Sequence, residues 1–109
     1  MTKSEDPRLI LVTAPPGAPA GDLARALVAE GLAACVNILP QVTSVYRWEG
    51  AVQEEPEAML IIKSRHDRLP ALEGRLLELH PYDVPEFVVL EPGHVEARYL
   101  AWLQAEASG

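Results

Sequence analysis

Residues 33–65 read AACVNILPQVTSVYRWEGAVQEEPEAMLIIKSR. Two β-rich runs flank Glu49-Gly50, a short connection whose glycine tolerates positive φ, and this predicts a tight hairpin. Pairing Trp48 with Ala51 sets Tyr46 opposite Gln53, Leu39 opposite Leu60 and Cys35 opposite Ser64. Antiparallel partners share a face, so this register puts Leu39 and Leu60 together in a core. A bulge at Pro40 or Pro56 would shift it by one residue.

The hairpin is too long for a domain of this size. An arm of about 14 residues spans roughly 45 Å, whereas a compact chain of this length has a radius of gyration of only ~13 Å. The ribbon must bend or project. Its outer part carries Val42, Val45, Tyr46, Trp48 and Val52. A lone projecting ribbon is marginal in water, and bare strand edges pair with other chains. The expectation is that a second copy of the chain covers it.

The remaining elements follow from pattern and punctuation. Leu9-Ile10-Leu11-Val12 marks a strand over 8–14, apolar and therefore buried on both faces, closed by Pro15-Pro16-Gly17. Asp22–Glu30 is a helix with Leu23 and Leu27 on one face and Gly31 as its C-terminal cap; its start lies as far back as Ala18 if Pro19 occupies the first turn. Ala58–Ile62 is an interior strand, and Pro40 places the first hairpin arm at an edge. A second helix begins at Asp67 or Arg68, carries Leu69, Leu72, Leu76 and Leu79 as a stripe, and stops at His80-Pro81. Glu86–Leu90 is a short strand containing Phe87. A third helix over 95–107 turns Val95, Tyr99, Trp102 and Leu103 to one side, and Ser108-Gly109 should fray.

The order strand-helix-strand-strand-helix-strand, plus a C-terminal helix, predicts an α+β fold: the ferredoxin-like βαββαβ arrangement with a long central hairpin. The whole chain, 1–109, reads as one domain with an ordered core over about 8–107. The first and third strands would be central. The last strand is apolar at successive positions, which a bare edge should not be, so a neighbour's overhanging hairpin is its natural cover. Pairing of two different edges is heterologous and closes into a ring when the rotation allows, three subunits being the smallest such ring. Val45, Tyr46, Trp48, Val52, Phe87 and Trp102 are the expected interface residues.

Of 109 residues, 16 are acidic and 9 are Lys or Arg, a net charge of −7. No basic stripe is present, which argues against nucleic acid and anionic membrane as partners. No apolar run approaches a membrane span. The polar Met1–Pro7 stretch and the single cysteine point to a cytoplasmic protein.

Five ordered motifs then match a known family: Ala34–Ile38, Ser44–Gly50, Glu57–Ser64, His80–Glu86 and Tyr99–Leu103. Over almost its full length the chain resembles the CutA family of divalent-cation tolerance proteins. Asp83 stands where that family more often has Glu. The resemblance implies a ferredoxin-like homotrimer whose long hairpins join the sheets of neighbouring subunits. It also implies a link to copper tolerance and cation binding, with copper or another divalent cation as ligand and no required cofactor.

The residues themselves offer a few candidates for that chemistry. Cys35 is a potential soft ligand suited to copper(I), His80 a borderline one, and Asp83 and Glu86 are carboxylates in the turn after it. No Cys-x-x-Cys or His-x-x-x-His spacing supports them. The competing reading makes Cys35 a small buried hydrophobe and His80–Glu86 a loop stiffened by Pro81 and Pro85. Lys63 and Tyr82 are candidates for a small-ligand cleft, and Tyr46 and Trp48 would either stack on a ligand or pack in the interface. His66 and His94 receive no role. No Ser-His-Asp set, phosphate-cradling glycine loop or dinucleotide fingerprint is found, so an enzyme is not expected. Three functions remain in play: a metal-tolerance trimer, a small-ligand trimer resembling the PII regulators, and an assembly scaffold.

Overall fold

A computed structural model describes residues 2–108; Met1 and Gly109, the ends of the expected domain, lie outside it. The run of apolar residues after Pro7 forms β1 (Pro7–Ala14). Its buried positions alternate: Ile10 and Val12 are fully buried, whereas Leu9 and Leu11 are half-covered. One face of the sheet is thus sealed by helices and the other only in part, a correction to the expectation of burial on both faces.

Helix α1 spans Ala18–Ala29, with Pro19 in its first turn, so the earlier of the two expected starts is the observed one. Gly17 precedes it at φ 89°. At the other end Gly31 adopts φ 71°, and the Leu32 N–H donates to the Leu27 carbonyl, the bond that closes a left-handed helix cap. Ala20, Leu23, Ala24 and Leu27 form the buried stripe.

The hairpin consists of β2 (Cys35–Trp48) and β3 (Ala51–Arg65). Glu49 at φ 49° and Gly50 at φ 80° make the turn, the two positive φ values of the twist-matched two-residue connection. Near the turn the register is the expected one, Trp48 opposite Ala51 and Tyr46 opposite Gln53. Between Val42 and Leu39 it slips by one residue. Ile38, not Leu39, therefore faces Leu60, and Cys35 faces Lys63 rather than Ser64. The slip spans Pro40, which has no N–H to donate to the ladder. Leu39 consequently joins Met59 on the half-covered face.

A short 3₁₀ turn (His66–Arg68) leads into α2 (Leu69–Leu79), slightly later than the predicted start. Leu72 and Leu76 are fully buried and Leu69 packs beside them, but Leu79 is exposed. Strand β4 is shorter than predicted, Val88–Leu90. Phe87 precedes it, is half-buried and packs against the main core. Helix α3 covers Ala97–Glu106, within the predicted range. The Glu96 carboxylate caps it by accepting from the Arg98 and Tyr99 backbone N–H groups. Only Leu103 of its apolar set is buried, against Ala34 and Ala107; Tyr99 and Trp102 remain exposed.

The four strands form one antiparallel sheet in the order β2-β3-β1-β4, with the first and third strands central as the pattern requires. Helices α1 and α2 lie on one face over Ile10, Val12, Leu60 and Ile62. Strand β1 accompanies β3 only from Ala58 to Arg65. Residues 51–57 of β3 and their β2 partners therefore overhang by roughly 23 Å. The longest dimension of the molecule is 43 Å.

Candidate functional site

The site begins where α2 stops. His80 leaves the helix with ψ 135°, and the Pro that follows cannot continue it. The imidazole is only 7% exposed. Its Nδ1 accepts the Tyr82 backbone N–H at 3.1 Å, which leaves the proton on Nε2 to donate to the Thr13 carbonyl at 2.8 Å. Thr13 lies just past the β1 residues that pair with β4. The ring thus pins the 81–87 loop to the end of the central strand. Both nitrogens are engaged, so His80 has none to offer a metal ion. Its expected role as a ligand is replaced by a structural one.

The pinned loop swings Tyr82 over the half-covered face of the sheet. The Tyr82 hydroxyl donates to Glu57 Oε2 at 2.9 Å, and its ring packs on His80 at 4.7 Å between centroids. Burial, then the Glu57 carboxylate, pushes the phenol well above its usual range. Glu86 is half-buried, with Oε2 sealed from solvent and bonded to nothing. Burial raises its pKa, and the nearby Glu57 charge adds to the rise.

Between this loop and the overhanging hairpin lies a cleft of about 680 Å³. The loop contributes Pro81, Tyr82, Asp83, Val84 and Glu86. Ser44, Tyr46, Trp48, Glu55, Glu57, Met59 and Thr13 supply the sheet side. Period-two alternation places these groups: Ser44, Tyr46 and Trp48 pair with Glu55, Gln53 and Ala51, and so share one face with Glu57 and Met59. Val45 and Val52 belong to the opposite face, where Val45 pairs with Glu54 and Val52 with Arg47. Glu55, Glu57, Ser44 and Met59 were not singled out from the sequence. The alternation of Glu55 and Glu57 opposite Ser44 and Val42 was the available sign.

The other candidates gather elsewhere. Lys63 directs Nζ to the Tyr99 hydroxyl at 3.2 Å and sits 5.4 Å from that ring's centroid. It therefore belongs with α3 and not with Tyr82, so the two residues expected in one ligand cleft are separate. Cys35 is half-buried opposite Lys63, and its thiol lies 3.9 Å from Asn37 Oδ1. The register sets Cys35 beside Lys63, and Thr13, which holds His80, beside Met59. Four residues of strand separate these positions, roughly 13 Å. Metal-ligand bonds of about 2 Å cannot bridge that gap. The set Cys35, His80, Asp83 and Glu86 does not assemble within one chain. Among the described residues no three His, Cys, Asp or Glu side chains are placed to hold a metal ion.

The model of the CutA1 divalent ion tolerance protein family matches residues 8–106. The chain belongs to the CutA1 family. A divalent-cation tolerance protein CutA from Thermus thermophilus is 46% identical over 96 residues, covering 88% of this chain and 93% of that protein. One from Salmonella newport is 44% identical over 97 residues, 89% of this chain and 84% of its own. The crystal structure of CutA from Xylella fastidiosa superposes with a TM-score of 0.91 at 38% identity, covering 94% of this chain and 99% of that one. The motifs that carry the CutA resemblance coincide with the features just described: Ser44–Gly50 is the outer hairpin and His80–Glu86 the loop that walls the cleft.

Proposed function

We propose that the chain works as a ferredoxin-like homotrimer in the cytoplasm, in the response to divalent cations such as copper, and without enzymatic chemistry. The observation that carries this is the uncovered apolar surface of the two sheet edges. Val45 and Val52 on the overhang are 62% and 68% exposed, and all three β4 residues, Val88, Val89 and Leu90, are exposed as well. An overhanging ribbon and a bare apolar edge on opposite sides of one sheet are complementary, and a ring of copies covers both. Trp102 on α3 adds to the surface to be covered. Tyr46 and Trp48, on the other face of the ribbon, then border a cleft at the seam between subunits. The names of the relatives support the cation reading. Direct metal contact, in this reading, uses the Cys35 thiol together with groups from an adjoining chain.

Light scattering after size exclusion should report three chains. Copper(I) titration under reducing conditions should show a saturable site that weakens at least tenfold in Cys35→Ser. A single-chain mass refutes the ring; copper binding unchanged in Cys35→Ser refutes the thiol site.

A second reading rests on the cleft itself. A pocket of this size, with aromatic walls and a few polar groups, fits a small organic molecule. This reading gives the trimer a ligand-binding role of the PII kind. Thermal shift in the presence of nucleotides, carboxylates and amines tests it, and stabilisation by none of them counts against it.

A further inference from the structure

The cleft brings together two chemically distinct kinds of surface. Tyr46, Trp48 and Tyr82 present aromatic rings, and Glu55, Glu57, Asp83 and Glu86 present carboxylates. Among the described residues no Lys, Arg or His lines the cleft. Tyr82 gives its one hydroxyl proton to Glu57, and Glu86 Oε2 is left without a donor. That oxygen is sealed from solvent, so the carboxylates a guest would meet are those of Glu55, Glu57 and Asp83. The carboxylates and the ring faces favour a positive guest.

A bare metal ion is the wrong guest for this wall. It requires several ligands converging on one point at about 2.0–2.6 Å. These carboxylates are instead split between strand β3 and the 81–87 loop, and among the described residues no trio converges. An organic ammonium has the opposite requirement. Its charges are distributed along a chain, each taking a carboxylate, while its methylenes and N–H groups lie against ring faces within about 6 Å. Glu55 and Glu57 project from the same face of β3, two residues apart. Their Cα atoms are therefore about 6.6 Å apart, comparable to the reach of a four-carbon diamine. The net charge of −7 draws such a cation in from a distance.

We propose that this cleft binds aliphatic polyamine cations. The proposal rests on the reading of the cleft as a ligand site and names the ligand class.

Calorimetric titration of the assembled protein with spermidine tests it, with butane-1,4-diol as the uncharged control and AMP and citrate as anionic ones. Saturable spermidine binding, no binding of the diol, and at least fivefold weaker binding in both Glu55→Gln and Trp48→Ala is the expected result. Glu55 is exposed, so its substitution leaves the fold intact; circular dichroism and light scattering of Trp48→Ala check the fold and assembly of the other variant. Spermidine binding that is equal in parent and both variants is general attraction to an acidic protein, and overturns the proposal. If AMP, citrate or the diol binds while spermidine does not, the polyamine assignment falls and the cleft stands as a ligand site. If nothing binds, both fall.

Discussion

Replacing His80 separates a structural residue from a metal ligand. His80→Ala removes the bond to the Thr13 carbonyl and the acceptor for the Tyr82 N–H. Each hydrogen bond contributes about 1 kcal/mol net, and an orphaned buried group costs about 1–3 kcal/mol more. The ring is 93% buried by its 7% exposure, so its packing against Tyr82 is lost as well. The sum is roughly 2–4 kcal/mol, short of the largest single-site losses because the loop can relax toward water. At ~4–8 °C per kcal/mol for a domain of this size, Tm should fall on the order of 10–20 °C. The assay is urea denaturation and thermal melting at matched protein concentration, since the proposed assembly would make stability concentration-dependent. His80→Gln sets an amide N–H near the position of Nε2 and should recover part of the loss. Copper affinity per folded chain should be the same in parent and variant. A His80→Ala protein within about 0.5 kcal/mol of the parent, or one that keeps its stability and loses copper, refutes the assignment.

Other perturbations read different parts of the molecule. Ser64 is fully buried and its hydroxyl donates to the Leu32 carbonyl at 2.6 Å, so Ser64→Ala should cost about 1–2 kcal/mol in urea denaturation. Glu49→Asn puts a residue tolerant of positive φ at the first turn position, where Glu sits at φ 49°, and should raise the denaturation midpoint by the equivalent of about 0.5–1 kcal/mol. Val52→Arg alters a side chain exposed in the single chain, so circular dichroism should not change while light scattering should show loss of the proposed trimer. Glu86 has a raised folded-state pKa, so the native state holds its proton longer and parent stability falls as pH rises from about 4.3 through that value. Glu86→Gln lacks this loss: it should be the more stable protein at pH 7, and the difference should disappear below pH ~4 in pH-dependent denaturation.

The parts of the fold legible in the sequence were those fixed by neighbours along the chain. Two β-rich runs on either side of Glu49-Gly50 are a local pattern, and they set the hairpin and its turn. The overhang followed from arm length against domain size. The register beyond Pro40 did not follow, because a missing N–H permits a slip without dictating on which strand it falls. Phe87 looked like edge surface because successive apolar residues surround it; only the packed core shows that its ring turns inward.

The site was harder to read, and His80 shows why. Its two valences are met by Tyr82, two residues away, and Thr13, 67 residues away. A histidine before a proline looks the same in sequence whether its nitrogens face a metal ion or a carbonyl. Spacing identifies a ligand set only when one element fixes all its members, as two histidines one helical turn apart do. Cys35, His80 and Glu86 start a strand, end a helix and precede another strand, so their separations in sequence constrained nothing. The cleft has the same origin: Tyr82 and Glu57 meet across 25 residues because the His80 ring holds the loop over β3. The residue expected to bind a metal ion is therefore the one that builds the wall of the cleft.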